Sequence, residues 1–285
     1  RGTGPMTLRT QVSMLVLALP LASGFAAPAA KNATAASSSA VAMSSSASSA
    51  SSSVDPNGRC VASDNQNDCF ALVMMWYAFG QNIPGWKVDG QMSMCAWDGV
   101  TCTSDSPPRV TKLDLNNNQL SGTIPPEVAK LTNLTLLDLW GNQLSGTIPP
   151  EVAELTQLQH LDLGGNQLSG TIPPEVAKLT QLQYRLGLYQ NQLSGTIPTE
   201  VAKLTQLTEL ALDNNQLSGT IPTEVAELTQ LQLLHLADNQ LSGTVPDGIC
   251  KLVITGDLGD CHLEDNSFAC PLPSCAAAAC GATCK

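Results

Sequence analysis

Ten cysteines, three histidines and a set of acidic, basic and aromatic side chains at a fixed spacing are the residues of this 285-residue chain whose types could do chemistry. An even number of cysteines pairs into disulfides in an oxidising compartment, whereas clustered cysteines hold zinc in a reducing one. Six of the ten, Cys250, Cys261, Cys270, Cys275, Cys280 and Cys284, crowd the tail without a paired C-x2-C and with only His262 nearby, which favours disulfides without choosing among the pairings. Asp114, Asp138 and Asp162 recur every 24 residues and would form a like-charge array able to attract a cation or a basic peptide, or simply a hydrated face. Trp140 and Tyr189 are of the types that dominate binding hot spots, and Arg185, His160 and His235 fall in the same periodic frame. The chain carries no G-x-S-x-G elbow, no H-E-x-x-H, no phosphate loop and no kinase segment, so the expectation is recognition by surface contact, with no catalytic residue, cofactor or metal.

What positions these side chains is self-similarity. Asn118, Asn142, Asn166, Asn191, Asn215 and Asn239 stand 24, 24, 25, 24 and 24 residues apart, each inside a copy of NQLSGT[IV]P. Each unit also holds an alternating segment such as Leu113-Asp114-Leu115, which places leucine inward and polar residues outward in a short strand. Stacked in parallel, the units align Leu113, Leu137, Leu161, Leu186, Leu210 and Leu234 in one buried column and Leu115, Leu139, Leu163, Leu188, Leu212 and Leu236 in a second. The asparagines must then turn inward and satisfy their amides on backbone groups of the bend and the neighbouring coil. Glycine and proline punctuate the turn to the far side, where EVAKL-type segments direct Val128 and Leu131 inward.

Three outward columns follow. One holds Lys112, Leu136, His160, Arg185, Glu209 and Leu233; the next Asp114, Asp138, Asp162, Gly187, Ala211 and His235; the third Asn116, Trp140, Gly164, Tyr189, Asp213 and Ala237. Arg185 falls in the one repeat with an extra residue, which either forms a bulge that re-aims it or is neutral.

The repeat resembles the plant-type leucine-rich-repeat family, whose L-x-x-L-x-L-x-x-N core continues as L-x-G-x-I-P. The resemblance runs from about Asp68 to Cys250. It implies an α/β repeat solenoid, a right-handed superhelix with a parallel concave sheet and disulfide caps. The segment from Cys95 through Trp97 and Gly99 to Cys102 looks like the family's N-terminal cap, with Trp86 and the apolar stretch Ala71 to Phe79 as its packing partners. On that resemblance Cys95 pairs with Cys102; Cys60 and Cys69 are a second local pair, a departure from the simplest cap. The tail is similar to the cysteine-rich ends of secreted algal repeat proteins. Relatives of this type include receptor ectodomains that bind peptides and soluble inhibitors of cell-wall hydrolases, both working through the concave face.

Composition narrows the partner. With 13 Lys and Arg against 24 Asp and Glu, and a formal net charge of -11, the chain lacks the basic patch that nucleic-acid binding requires. Arg9 followed by an apolar run from Met14 to Phe25 reads as a signal peptide, and that run is shorter than the ~20 residues needed to cross a bilayer, as is every later apolar stretch. The expected organisation is a signal peptide over 1–30, of which 1–5 precede the first methionine and are set aside, a Ser/Ala-rich linker over 31–54, an N-terminal cap over 55–109, repeats over 110–249 and a cysteine-rich cap over 250–285. Asn32 and Asn133 begin glycosylation sequons. The chain thus reads as a secreted, extracellular or wall-associated protein that binds a protein, peptide or glycan. Two rival readings are a structural wall component and an ice- or polysaccharide-surface binder acting through the in-register Thr123, Thr147, Thr171, Thr196, Thr220 and Thr244.

Overall fold

The computed structural model describes residues 58–284, which fall within one compact unit; the expected signal peptide, linker and the sequon at Asn32 lie outside the described residues. The first element is helix α1 (Gln66–Ala78), opened by Asn65, whose side chain accepts from the N–H groups of Asn67 and Asp68. Its buried face carries Cys69, Ala71, Leu72, Val73 and Met75.

Fifteen short strands follow: β1 (Val100–Cys102), β2 (Val110–Asp114), β3 (Ser121–Thr123), β4 (Leu136–Asp138), β5 (Gln143–Thr147), β6 (His160–Asp162), β7 (Gln167–Gly170), β8 (Arg185–Gly187), β9 (Gln192–Gly195), β10 (Glu209–Ala211), β11 (Gln216–Gly219), β12 (Leu233–His235), β13 (Gln240–Gly243), β14 (Asp260–His262) and β15 (Ser267–Phe268). They form two sheets, because each repeat turns a corner at its asparagine. The first has the order β1-β2-β4-β6-β8-β10-β12-β14, parallel except for the antiparallel β1 edge, and the second runs β15-β13-β11-β9-β7-β5-β3. On the remaining side each EVAKL-type segment forms one 3-10 turn, with Val128, Val152, Val176, Val201 and Val225 buried. Both leucine columns are buried as the periodicity requires, and each fully buried leucine contributes roughly 2 kcal/mol of transfer free energy. Among the described residues no helix is long and apolar enough to cross a membrane.

The asparagine series welds one repeat to the next. Asn166 donates through Nδ2 to the carbonyls of Leu163 and Gly164 in its own repeat and of Leu139 in the preceding one, while its Oδ1 accepts from the N–H of Leu144. The same pattern holds at Asn142, Asn191, Asn215 and Asn239. It holds again at Asn266, which binds the Leu236 carbonyl and the Leu241 N–H. The ladder therefore runs one rung past the repeat boundary expected at 249: β14 pairs in register with β12, with Cys261 taking the place of a core leucine beside Leu234.

Both ends are sealed covalently. Cys60–Cys69 and Cys95–Cys102 are disulfides, as expected, and the six tail cysteines pair as Cys250–Cys275, Cys261–Cys280 and Cys270–Cys284. No free cysteine remains. In the N-terminal cap Trp86 packs on Trp97 with ring centroids 4.8 Å apart and donates to the Asp98 carbonyl. Asp68, fully buried, accepts both arms of Arg109 and the N–H of Val110, tying α1 to the first repeat strand.

The extra residue of the fourth repeat is absorbed ahead of the strand. Gln183 and Tyr184 both donate to the Gln159 carbonyl, Tyr184 is pushed outward to 52 % exposure, and Arg185 stays in register with His160 and Glu209. Of the two alternatives, the neutral insertion holds, and Arg185 keeps its column.

Replacing Asn166 by alanine should strand the Leu144 N–H inside the wall and take one of two donors from each of the Leu139, Leu163 and Gly164 carbonyls, at a cost of about 2 kcal/mol in urea unfolding; a loss under about 1 kcal/mol would show that the ladder does not hold the repeats together.

Candidate functional site

On the outward face of the first sheet, β2, β4 and β6 each end in an aspartate that fixes the backbone beyond it. The Oδ1 of Asp138 accepts the N–H of Trp140 at 3.0 Å and that of Asp162 the N–H of Gly164 at 2.9 Å; Asp114 stands the same way to Asn116 at 3.4 Å. The amide of Asn116 donates to Asp114 Oδ1 at 2.6 Å and reaches Asp138 Oδ2 at 3.4 Å. These carboxylates are engaged in shaping the strand ends. The expectation of a uniform acidic array fails at its third member, for Asp162 is only 6 % exposed.

What buries Asp162 is its neighbours in the next repeat. The Arg185 guanidinium lies 3.0 Å from Asp162 through Nε and 3.0 Å from Glu209 Oε2 through Nη1, and its Cζ stands 5.1 Å above the Tyr189 ring. Two glycines make the arrangement possible. A Cβ on Gly187 would stand 2.8 Å from Asp162 and 2.9 Å from Arg185, and one on Gly164 would clash with the Tyr189 ring, 2.4–2.7 Å from three of its atoms. Trp140, 37 % exposed, leans its indole Nε1 toward Gly165 of the following rung. Trp140 and Tyr189 thus incline toward the same rung from either side, with Arg185 fixed beside them.

Electrostatics follow from this packing. Burial pushes the Asp162 carboxyl up to about 6, outweighing the Gly164 N–H and the Arg185 charge that both favour ionisation. Burial likewise pushes the Tyr189 hydroxyl up to about 12, helped by Asp162, and holds the His160 imidazole below its usual range against the pull of Asp138. At neutral pH this centre presents a neutral indole, a neutral phenol and a guanidinium already paired with two carboxylates.

The structure therefore brings Trp140, Tyr189, Arg185, Asp162 and His160 together on, or just past the ends of, three adjacent strands, β4, β6 and β8, with Asp138 at the margin and Asp114 at the N-terminal end. His235 lies apart, two strands beyond Arg185, and its partner was missed in the sequence. His262 on β14 is in register with it, and the imidazoles stand edge to face 4.6 Å apart, with Asp260 within 3.1 Å of both. The signal was present in LGDCHLEDN, a repeat core with cysteine at a leucine position. His262 also contacts Glu264, which raises its pKa, at 2.8 Å. Asn133 is half-buried in the turn before β4.

Models of the leucine-rich repeat match residues 108–168, 206–228 and 230–252. The chain superimposes on the ectodomain of the receptor kinase SOBIR1 from Arabidopsis thaliana with a TM-score of 0.54 and 31% identity, covering 62% of this chain and 94% of that one. The chain belongs to the plant-type leucine-rich-repeat family. This leucine-rich-repeat protein is also similar to the plant peptide hormone receptor RGFR1 in complex with RGF2, with a TM-score of 0.53 and 38% identity over 55% of this chain and 24% of that one. It is 38% identical over 74 residues to a probable LRR receptor-like serine/threonine-protein kinase of Arabidopsis thaliana. That match takes in 25% of this chain and 9% of the kinase, so what these longer proteins do does not pass to the present chain by likeness.

The buried carboxyl of Asp162 gives a pH test. Its folded-state value lies above the ordinary aspartate value of about 4, so the stability linked to its protonation is present below about pH 4 and lost as pH rises through about 6. Asp162→Asn, which keeps the acceptor for Gly164, should remove that dependence, and the stability gap between variant and parent should shift by on the order of 2 kcal/mol in the variant's favour from pH 4 to pH 7. A gap that stays constant across that range contradicts the assignment.

Proposed function

We propose that this leucine-rich-repeat protein is a non-catalytic recognition protein that binds an extracellular peptide or protein segment across the concave sheet, with Trp140 as the principal anchor and Tyr189 and Arg185 beside it. The observation that carries the reading is the fixing of these side chains before any ligand arrives. Arg185 is clamped between Asp162 and Glu209 on a paired strand, and Tyr189, two residues past the end of that strand, is seated on Gly164. A surface prepared this way loses little side-chain entropy on binding, and exposed aromatics next to an arginine are the anchors around which interface energy concentrates. The acidic rim of Asp114, Asp138, Glu209 and Asp213 favours a ligand with basic or neutral side chains over an acidic one. The RGFR1–RGF2 complex supports a peptide as the ligand, as a likeness of scaffold.

The threonine column that suggested a crystal surface binder is exposed along the second sheet. Its register has a packing cause, since a Cβ on Gly146, Gly170, Gly195, Gly219 or Gly243 would stand 2.7–3.0 Å from the methyl of the preceding repeat's threonine. Regular threonines therefore follow from stacking alone, and we give recognition by the concave sheet precedence.

The test is a pull-down from extracellular medium with the parent protein, Trp140→Ala and Tyr189→Ala, each checked by circular dichroism for an unchanged melt. Trp140→Ala should weaken recovery of the partner at least roughly tenfold, and Tyr189→Ala by a smaller factor. Equal recovery by all three proteins would place the binding surface elsewhere.

A further inference from the structure

The pair of imidazoles at the C-terminal end of the first sheet has no part in the centre around Trp140, and its geometry calls for a separate explanation. His235 and His262 occupy the same column on neighbouring parallel strands, and Asp260 lies two residues before His262, on the same face of β14. The nitrogen Nε2 of His235 is 3.1 Å from Asp260 Oδ2, and Nε2 of His262 is 3.0 Å from Asp260 Oδ1. The three donor atoms all lie within 4.8 Å of one another. The His235 Nε2 is itself buried and has no hydrogen-bond partner, its approach to Asp260 being poorly aligned for one.

We propose that His235, His262 and Asp260 form a surface site for a single divalent transition-metal ion of the zinc class. Two imidazole nitrogens and one carboxylate are a recurrent donor set for such ions, leaving a fourth position open to solvent. Donors on a tetrahedral ion, each about 2.1 Å from it, stand ~3.4 Å apart. The two histidine–aspartate separations, each to a different oxygen of Asp260, are within a few tenths of an ångström of that value, and rotation of the carboxylate and the rings brings one oxygen and both nitrogens into the set.

The surroundings are those of a ligating histidine. Nδ1 of His262 lies 2.8 Å from Glu264 Oε1, so the ring can donate its N–H there and present the Nε2 lone pair to the site. A neutral imidazole has only one N–H, and both ring nitrogens of His262 face carboxylate oxygens, so one of these contacts needs positive charge between nitrogen and oxygen. In the metal-free chain a second ring proton supplies it, and a bound ion between Nε2 and Asp260 would take that proton's place. Rigidity comes from the tail. Cys261, between Asp260 and His262 in sequence, is bonded to Cys280, and the neighbouring Gly281 is where an added Cβ would stand 3.0 Å from Glu264 Oε2. With all ten cysteines in disulfides, no thiolate competes for the ion.

The experiment is a calorimetric titration of the oxidised full-length chain with zinc chloride at neutral pH, repeated with nickel and magnesium chlorides and accompanied by histidine side-chain NMR. One zinc per chain should bind, nickel should bind too, and magnesium, which prefers an all-oxygen shell, should not. His262→Ala and His235→Ala should each lower zinc affinity at least tenfold, and Glu264→Gln by about 10–100-fold through loss of the ring's support, with the melting curve unchanged in metal-free buffer. Absence of stoichiometric zinc binding, or binding that survives the His235→Ala/His262→Ala double substitution in a folded chain, would overturn the proposal.

Discussion

A strand three residues long that carries leucine on only one side cannot bury that side by itself, and every bend that closes such a strand into a coil leaves carbonyl and N–H groups facing inward. The structure meets both demands with one residue per repeat. From Asn142 onward each inward asparagine takes up two carbonyls of its own bend, a third from the preceding repeat and an N–H of that same repeat, so that N–H finds its partner only when the next coil is in place; Asn118, with no such rung before it, reaches only the Asn116 carbonyl. The leucine columns supply the driving force for stacking, and the asparagines fix its spacing and register. The open ends that remain are closed by disulfides at both termini and, at the N-terminal end, by the buried Asp68–Arg109 pair.

This constraint also explains where specificity can reside. Because the inward positions are fixed by stacking, the first sheet varies in its three outward columns, and there the size of one residue decides what its neighbour can do. Gly164 and Gly187 are empty places into which Tyr189 and the Arg185–Asp162 pair settle. The aspartates of the second column close the strand ends through the backbone, and only secondarily give the face its charge.

Much of this could be read from the amino-acid order. Periodic features were legible because each copy repeats the same physical demand: the leucine columns, the inward asparagines, the short helical turns and the need for caps. The exposure of Trp140 followed from alternation along a strand, whereas Tyr189 is half-buried against Gly164. Features that depend on the contents of two different repeats were not legible. The burial of Asp162 requires Arg185 in the next rung together with glycine at both 164 and 187. The Asp68–Arg109 pair joins residues 41 apart in a non-repeating cap. The last rung escaped notice because a cysteine replaces its leucine and its asparagine stands 27 residues, rather than 24 or 25, after Asn239, and with that rung went the pairing of His262 with His235.

The central claim is that the asparagine ladder makes the coils one cooperative body, and native-state hydrogen exchange reads it directly. The N–H groups of Leu120, Leu144, Leu168, Leu193, Leu217 and Leu241 are those that donate to an asparagine Oδ1 of the following rung. They should exchange only through the global opening of the solenoid, with the same free energy and the same denaturant dependence within about 1 kcal/mol. Free energies that differ widely from rung to rung, or exchange at these six sites as fast as at exposed turns, would contradict the account.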